Sequence, residues 1–421
     1  IGLGEMMNFP AVCDGDDKVH AEMAVTRCAG KVIGGHYASP DLGLNFHAYV
    51  AGGPQDDHEG TRVEDAIARA RQGMKVMMRY GSAWHDVASQ VKAITEHGLS
   101  PRGFLLCTDD SQSETLITEG HMDRVLRHAI KEGLDPMTAI QMATINTAEH
   151  FGVSREMGLI APGRFGDVLL VKDLNHFTVD LVVAKGKEAV RDGEILVDLP
   201  KREYPSWAVQ SVHFKRPMTA EDFSLKYKNG EFVKAHVIGV IENQAPTRHL
   251  IMQLPVENGE VKPDISKDVA KVALVERHNP TGKVQVGLVS GFGFHVPCAV
   301  ATTVAHDSHQ MIVVGTNEDD MAFAANRLAE VGGGQVVVSE RQVLGEIRLP
   351  VGGLMSDESA KVVAKEAQGL LEGFKKCGCK MNNPNMQLSL LGLVVIPELR
   401  ISDLGLIDVN HFDFIPVVEA A

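Results

Sequence analysis

The chain has 421 residues, of which 44% are hydrophobic and 23% charged, and this predicts a globular protein of two or three domains. Its 55 acidic residues exceed its 41 basic ones, and the net charge of −14 repels phosphate backbones, which excludes nucleic-acid binding as a main task. No apolar run reaches the roughly 18 residues that cross a bilayer, so no membrane span is predicted.

The amino terminus reads like the interior of a folded domain. The sequence opens Ile1-Gly-Leu-Gly-Glu5, with neither an initiator methionine nor the charged and apolar segments of a signal peptide. We therefore expect this sequence to be a piece of a longer polypeptide.

Before Phe151, short apolar runs alternate with amphipathic stretches. Alternation of strands and helices predicts a parallel sheet, either doubly wound or closed into a barrel. In Gly120–Leu126 the apolar residues recur at helical spacing, as in an outer helix of a barrel. The predicted strands are Lys31–Gly34, Leu44–Ala51, Lys75–Arg79 and Gly103–Cys107, and the predicted helices are Val63–Gln72, Asp86–Glu96, Ile117–Lys131 and Pro136–Phe151.

After Phe151 the pattern changes to short β runs separated by glycine-containing turns. This predicts a small antiparallel sheet, followed by a charged, proline-bearing linker at Pro200–Pro217. A second α/β region begins near residue 218. Its predicted strands include Ala235–Ile241, Val284–Val289, Met311–Val314 and Gln335–Val338, and its predicted helices are Glu318–Val331 and Glu358–Phe374.

Four polar clusters in the first region each follow or end an apolar, strand-like run. They are Glu5 with Asn8, His36 in a Gly-Gly-His-Tyr turn, His58 in Asp-Asp-His-Glu, and Asp109 with Asp110. In barrels built of alternating strands and helices, the chemistry lies where the strands end. Two imidazoles and two carboxylates on successive strand ends are a ligand set that suits Mn, Fe or Zn. The order and spacing of the clusters therefore favour a divalent metal site.

Each cluster also has a structural interpretation when it is taken singly. A histidine in a glycine-rich turn is more often exposed or hydrogen-bonded than a metal ligand. Asp109 or Asp110 could cap a short helix, and a glutamate such as Glu5 is normally a solvated charge. The metal hypothesis depends on the joint pattern rather than on any single residue.

Two consecutive stretches resemble the end of the barrel in the amidohydrolase superfamily. There, an A-T-x-N-P-A helix leads into G-x-I-x-P-G-x-x-A-D-L, where the chain joins a small β-sandwich. This sequence has A-T-I-N-T-A at 143–148 and G-L-I-A-P-G-R-F-G-D-V at 158–168. Thr147 replaces the usual proline and Gly166 the usual alanine.

Within that superfamily, the chain resembles the adenine deaminases of the bacterial type nearly from end to end. The matching pieces are Gly4–Pro10, Leu106–Asp110, Glu119–Asp123, Val304–His309 and Leu393–Leu399. The resemblance implies an α/β fold in three parts. Residues 1–155 are expected to be the C-terminal part of a (β/α)8 TIM-type barrel, about strands four to eight, residues 156–212 a small β-sandwich plus linker, and residues 213–421 a C-terminal α/β domain.

The resemblance also implies roles for four residues. Glu5, at the end of the fourth barrel strand, is expected to bridge two metal ions, and His36 and His58 to be the fifth-strand and sixth-strand ligands. Asp109, on the eighth strand, is expected to bind metal and shuttle protons, so that Glu5 and Asp109 are the catalytic residues. The implied cofactor is a binuclear divalent metal, Mn²⁺ or Fe²⁺ ahead of Zn²⁺.

Two departures from the family pattern stand out. The fifth-strand turn, usually G-H-A-P-G, reads Gly35-His36-Tyr-Ala-Ser-Pro40 here, which shifts the proline. The first-strand His-x-His pair that holds the more buried metal is absent from this sequence. We therefore expect strands one to three, with two metal ligands, to lie on a segment outside it.

The implied reaction is adenine + water → hypoxanthine + ammonia. Metal ions lower the pKa of bound water, so that the nucleophile is ionised near neutral pH. A carboxylate beside it, Asp109, is expected to take the proton from water and pass it to the leaving ammonia.

The expected partners are adenine, which is a neutral free base, and further copies of the chain in a homo-oligomer such as a homodimer, with no nucleic acid and no membrane. Six cysteines in this length, among them Cys377 and Cys379, do not form a disulfide framework, which favours a reducing cytoplasm.

Two alternatives stay open. One is a cyclic-amide hydrolase of the dihydropyrimidinase or dihydroorotase kind, against which Glu5 in place of lysine and the long C-terminal domain both argue. The other is a non-catalytic barrel fragment, which the absent His-x-His pair favours.

Seven further residues are weaker candidates for binding the substrate. They are Asn8, Glu59, Arg79, Ser82, Asp110, His306 and His309. Arg79 and Ser82 follow a predicted strand and could contact the purine or simply form a loop. His306 and His309 flank an aspartate and could bind another metal, line the substrate pocket or form a hydrogen-bonded turn.

Overall fold

The structure is a computed structural model, and it describes residues 1–82, 84–200, 203–228, 230–242 and 244–420. The chain divides into two compact units, Ile1–Lys201 and Arg202–Ala421. Both units mix helices with strands around their own buried apolar clusters, which agrees with the predicted α/β class. Among the described residues, no helix combines the length and the apolar character that crossing a membrane requires.

The first unit contains five strands that pair only in parallel. They are β1 Gly2–Met6, β2 Val32–Gly35, β3 Asp56–Asp57, β4 Lys75–Arg79 and β5 Phe104–Cys107. Strand β1 pairs with β2, while β4 lies between β3 and β5. The backbone N–H of Gly35 donates to the Asp56 carboxylate at 3.0 Å and so connects the two sets. At least one helix separates each of these five strands from the next, as parallel pairing requires.

In the described part of this unit, ten helices accompany these strands. They are α1 Phe9–Asp14, α2 Asp17–Cys28, α3 Leu44–Gly52, α4 Val63–Arg71, α5 Val87–Gln90, α6 Lys92–Thr95, α7 Ser113–Thr118, α8 Met122–Lys131, α9 Pro136–Ala143 and α10 Ile145–His150. Helix α8 shows the expected amphipathic pattern, because Val125, Leu126 and Ala129 are buried in the same apolar cluster as strands β4 and β5.

The structure corrects one predicted strand. Residues Leu44–Ala51 form helix α3, in which Phe46 and Tyr49 are fully buried at a helical spacing of three residues. A short apolar run does not distinguish a buried strand from a buried helix, and here the helical period prevails. The predicted helix Ile117–Lys131 is also interrupted, because Gly120 adopts a positive φ of 105° between α7 and α8.

A four-stranded antiparallel sheet follows α10, in agreement with the β runs predicted after Phe151. Its strands pair in chain order and are β6 Val168–Val171, β7 Val179–Ala184, β8 Lys187–Arg191 and β9 Glu194–Ile195.

The second unit is built around a ten-stranded mixed sheet. Its order is β12-β11-β10-β14-β13-β16-β15-β17-β18, and β22 pairs with β10. The strands are β10 Phe232–Gly239, β11 Arg248–Glu257, β12 Glu260–Val261, β13 Val269–Val275, β14 Val284–Ser290, β15 Ala299–Thr302, β16 Met311–Gly315, β17 Gly334–Ser339, β18 Gln342–Arg348 and β22 Val418–Ala420. A separate three-stranded sheet contains β19 Leu399–Ser402, β20 Gly405–Asp408 and β21 Asp413–Ile415.

Four helices belong to the second unit. They are α11 Ser206–Val209, α12 Glu318–Val331, α13 Ala360–Cys377 and α14 Pro384–Ser389. Helix α11 lies in the segment Pro200–Pro217, which the sequence predicts as a linker and of which residues 201 and 202 fall outside the described part. Arg277, fully buried, donates to the Ser211 carbonyl at 2.8 Å, so this end of the segment is fixed to the second unit.

A buried lysine lies in the interior of the ten-stranded sheet. All seven residues of β13 are buried, including Lys271, whose ammonium lies 2.6 Å from Glu318 and 2.8 Å from Glu260. Its third hydrogen bond is to the Phe223 carbonyl at 3.0 Å. The charge is therefore fully paired, as a buried ammonium must be.

Replacing this lysine should destabilise the second unit strongly. Lys271→Met removes the fully buried cation between Glu260 and Glu318 and leaves them only the partly exposed Lys262, so we expect a loss of about 3 kcal/mol in the free energy of unfolding. Urea unfolding, with hydrogen exchange of the β13 amides, measures it. The control is Lys267→Met, which removes a half-exposed lysine 3.4 Å from Asp264 and should cost less than about 1 kcal/mol. Equal stability of the two variants would contradict the assignment.

Candidate metal centre

The carboxyl ends of the parallel strands bring three predicted ligands together. Glu5 lies near the end of β1, His36 directly follows β2 and His58 directly follows β3. The Nδ1 atom of His36 is 2.8 Å from Oε2 of Glu5, and Nε2 of His58 is 3.3 Å from the same oxygen. The two imidazole nitrogens are 3.3 Å apart. Three donor atoms from three different strands thus converge on one point.

Proximity between these groups shifts their proton affinities. Hydrogen bonds from His36 and His58 hold the pKa of Glu5 far below its usual range. Burial of His58 disfavours its protonated form, but Glu5, Glu59 and Asp57 outweigh that effect and raise its pKa to about 9. Without a metal, a proton on this imidazole therefore compensates the negative charge of the neighbouring carboxylates.

A second set of donors adjoins the first. His58, Glu59 and Asp109 each offer a ligand atom within 4.8 Å of the others, as do Glu5, His36 and His58. Oε1 of Glu59 lies 3.5 Å from Nε2 of His58 and 3.7 Å from Nδ1 of His36. His58 therefore belongs to both sets, and the four predicted ligands lie in these two adjoining sets.

The donor chemistry fits a divalent cation. Imidazole nitrogens and carboxylate oxygens are ligands that Mn, Fe and Zn accept. In addition, Nε2 of the buried His36 has no hydrogen-bond partner among the described residues. Its other nitrogen, Nδ1, faces Glu5 and His58, so this histidine is positioned by contacts inside the ligand set rather than by an outer partner.

The backbone around His36 is fixed by side chains buried beneath it. The His36 N–H donates to the Tyr49 hydroxyl at 2.8 Å, and that hydroxyl donates to the Met6 carbonyl at 3.0 Å. The next N–H, of Tyr37, donates to the Asp57 carboxylate at 2.6 Å. The Tyr49 side chain of helix α3 thus links the ends of β1 and β2, and the Asp57 side chain links β2 to β3.

Asp57 organises the neighbouring turn as well. Its carboxylate accepts from the Glu59 N–H at 2.9 Å and from Nε of Arg69 at 2.8 Å, and both Asp57 and Arg69 are fully buried. Asp56 accepts from the ring of His150 at 2.6 Å and so attaches helix α10 to β3. The turn that carries His58 is therefore fixed by Arg69 through Asp57 and by His150 through Asp56.

Asp109 occupies a strained position two residues after β5. Its φ of 60° lies in the left-handed region that non-glycine residues rarely adopt. One carboxylate oxygen accepts from the Asp110 N–H at 2.7 Å, and the other accepts from Arg79 at 2.9 Å. Such strain persists only where surrounding contacts enforce it, which is typical of functional positions.

The loop after β4 supplies those contacts. Gly81 lies against the loop after β5, and the Ser82 N–H donates to the Asp110 carbonyl at 2.9 Å. Arg124, buried on helix α8, donates to the carbonyls of Tyr80 and Gly81 at 3.1 and 2.9 Å. The position of Asp109 therefore depends on the loop after β4, and Arg124 of helix α8 fixes that loop in turn.

The weaker candidates have different environments. Asn8 caps helix α1 through a 3.2 Å bond from the Ala11 N–H, and the Ser82 hydroxyl lies 2.8 Å from both Thr115 and the Gln112 N–H. Asp110 follows Asp109 in the same loop, but neither residue caps a helix, because α7 begins at Ser113 after Gln112.

His306 and His309 lie in the second unit. Nδ1 of His309 is 3.3 Å from the Ala305 N–H, and Nδ1 of His306 is 3.4 Å from Asp307. Among the described residues, the two metal-ligand groups of three or more are those around His58, and neither histidine belongs to them.

Sequence reasoning missed several residues that shape this site. Tyr49 was hidden because its segment resembles a strand, and Asp86 because it lies outside any motif and reaches Arg79 only through the fold. Asp57 carried a signal, since it directly precedes His58, but its three hydrogen bonds could not be read from that adjacency.

Family comparisons first define the class of protein. Residues 64–189 match the amidohydrolase family, and residues 244–413 match the adenine deaminase C-terminal domain. The chain is 58% identical over 418 residues to adenine deaminase 3 of Rhizobium meliloti and 58% identical over 413 residues to the adenine deaminase of Mesorhizobium japonicum. The chain belongs to the adenine deaminase family.

The chain spans about two thirds of these relatives. The matches cover 99% and 98% of this chain but 70% and 68% of the two relatives. A more distant relative, the adenine deaminase of Moorella thermoacetica, is 46% identical over 99% of this chain and 70% of its own length.

Substituting Gly81 should displace Asp109 and weaken metal binding. A Cβ at this position would lie less than 3.0 Å from the carbonyl oxygens of Thr108 and Asp110, so the loop must shift. We expect Gly81→Ala to weaken Mn²⁺ binding about 10-fold, as measured by titration calorimetry. The control is Gly103→Ala, at the start of β5, where a Cβ meets nothing within 4 Å. Unchanged affinity in Gly81→Ala would show that the loop contact does not position a ligand.

Proposed function

We propose that this chain hydrolyses the amino group of adenine, giving hypoxanthine and ammonia, at the site formed by Glu5, His36, His58 and Asp109. The observation that carries the proposal is the convergence of these side chains at successive strand ends, in a chain that is 58% identical to a curated adenine deaminase. The cyclic-amide alternative has no comparable support, because the matched relatives and the C-terminal family model both point to adenine.

The proposed ligand set is Glu5, His36 and His58, with Asp109 contributing from the adjoining set. Glu5 is half-exposed and faces both imidazoles, which suits the bridging role expected for it. A divalent metal bound there would lower the pKa of a water molecule and so provide the nucleophile. The two histidines, one of them shared between both donor sets, would orient that metal from neighbouring strands.

Asp109 is proposed as the residue that moves the proton. Its carboxylate is about four-fifths buried, and one oxygen is already hydrogen-bonded to Arg79. An aspartate held in this way would accept a proton from the attacking water and donate it to the departing amino group. The amino group is a poor leaving group until it is protonated and can leave as ammonia, so this proton transfer is the step that the chain itself must supply.

We also propose a domain layout, a metal, an oligomeric state and a cellular location. The five parallel strands support the C-terminal part of a (β/α)8 barrel within residues 1–155, followed by a small sandwich with linker at 156–212 and a C-terminal domain at 213–421. We further propose Mn²⁺ or Fe²⁺ ahead of Zn²⁺ as a binuclear cofactor, a homo-oligomer, and a cytoplasmic location. All six cysteines are free thiols, which supports a reducing compartment.

We also propose candidate residues for contacting adenine. Asn8 and Asp110 lie near Glu5 and Asp109 in the chain, and the Ser82 N–H donates to the Asp110 carbonyl, while His306 and His309 lie in the second unit. Glu59 is within 4 Å of both imidazoles, which favours a role beside the metal over one in reading the purine ring.

An activity assay with one variant tests the proposal. With Mn²⁺, the protein should form hypoxanthine from adenine and leave dihydrouracil intact, and chelation should abolish the activity. Asp109→Asn should lower kcat about 1000-fold, because the amide cannot accept a proton. Asp135→Asn, which alters an exposed cap of helix α9, should keep full activity. Hydrolysis of dihydrouracil but not adenine would contradict the proposal, as would full activity of Asp109→Asn.

Metal stoichiometry tests the bridging role of Glu5. Glu5→Gln replaces the shared carboxylate by an amide, which is a much weaker ligand, so the variant should no longer bind two metal ions. Elemental analysis of the dialysed protein gives the number of metal ions per chain for wild type and variant. Two tightly bound ions in Glu5→Gln would refute a bridging carboxylate.

A further inference from the structure

Arg79 is the buried cation beside the candidate metal centre. It ends strand β4, and its side chain is only 4% exposed. Its guanidinium contacts three carboxylates from three different segments. They are Glu59 after β3, Asp86 before α5 and Asp109 after β5.

Each nitrogen of the Arg79 guanidinium has a carboxylate partner. Nη1 donates to Glu59 and, at 2.9 Å, to Asp109, while Nε donates to Asp86 at 2.6 Å and Nη2 lies 3.5 Å from Glu59. The Trp84 ring covers the guanidinium, with its centroid 5.3 Å from the central carbon. This arrangement leaves the guanidinium oriented toward protein carboxylates rather than toward a purine ring.

Asp86 contacts the guanidinium through Nε, whereas Glu59 and Asp109 contact it through Nη1. Its N–H donates to the Arg79 carbonyl at 3.1 Å while its carboxylate accepts from the Arg79 side chain, so the two residues are joined twice. Asp86 belongs to neither of the two donor sets among the described residues. The permanent positive charge of the guanidinium is thus matched by three surrounding carboxylates.

We infer that Arg79 is a positioning residue that holds the carboxylates of Glu59 and Asp109 toward the metal side of the site, with Asp86 as its anchor. This inference rests on the proposed function, which assigns metal binding and proton transfer to the site. The rigid planar fork of Arg79 fixes the directions in which its three carboxylates bind, and a lysine ammonium, a point charge at the end of a flexible chain, would not hold all three in that geometry. Arg79 therefore sets the orientation of the proton-moving aspartate without contacting the substrate.

Steady-state kinetics separate positioning from substrate recognition. Arg79→Lys should lower kcat about 100-fold, because a small displacement of Asp109 misaligns proton transfer, while the KM for adenine stays within about 3-fold. Asp86→Asn, which leaves Arg79 in place but removes its anchor, should lower kcat about 10-fold, again with little change in KM. Arg79→Ala should regain activity when millimolar guanidinium chloride is added, whereas wild type should not respond.

A spectroscopic measurement tests the same inference without any turnover. In the Co²⁺-substituted protein, the visible absorption reports the geometry of the ligand oxygens. Arg79→Lys and Asp86→Asn should both shift these bands relative to wild type. The control is Arg102→Ala, which removes an exposed arginine 3.1 Å from Glu149 at the opposite end of β5 and should leave kcat, KM and the spectrum unchanged.

Two results would overturn the inference. In the first, Arg79→Lys binds adenine more weakly, with KM raised by about an order of magnitude or more at constant kcat, which would make Arg79 a substrate-binding residue. In the second, the Co²⁺ spectrum is unchanged in both Arg79→Lys and Asp86→Asn. If wild type fails to deaminate adenine but the spectra shift as expected, the proposed function is wrong and the positioning role stands.

Discussion

The close approach of strands β2 and β3 is the constraint on which the candidate metal centre depends. Gly35 ends β2, and a Cβ at that position would overlap the Asp56 carbonyl. Because no side chain intervenes, the residues that follow the two strands, His36 and His58, leave the sheet with their imidazole nitrogens 3.3 Å apart. Glu5 on the neighbouring strand then reaches both rings. A larger residue at Gly35 would push β2 and β3 apart and so separate His36 from His58.

Charge balance is the second constraint, since the site concentrates carboxylates in a partly buried volume. Glu59 and Asp109 share the Arg79 guanidinium, and Glu5 is paired with two histidines. Unpaired charges in such a place cost several kcal/mol, so each carboxylate needs a cation nearby. The proton that the raised pKa of His58 keeps at neutral pH and a divalent metal would satisfy the same negative field. The negative field of these carboxylates therefore suits a cation at this place.

Secondary structure was predictable where local signals mark both ends of an element. The predicted helix Glu318–Val331 has the bounds that the structure shows, because Asn317 caps its first turn and Gly332 terminates it in a left-handed conformation. The strand Lys75–Arg79 was equally well defined. Leu44–Ala51 was not, since an apolar run lacks the polar positions that reveal a period. Because the segment was predicted as a strand, the role of Tyr49, which fixes the backbone of His36, was not predicted.

The sequence by itself determined which side chains could serve as metal ligands and the order in which strands would present them. Polar residues at the ends of apolar runs, together with family motifs, were enough to select Glu5, His36, His58 and Asp109. Only the tertiary structure decided the partners of Arg79, because its carboxylates lie 7, 20 and 30 residues away in the chain. Contacts of that kind depend on strand register and loop conformation, which a linear pattern does not encode. The choice of candidate ligands was therefore local information, and the geometry that positions them was not.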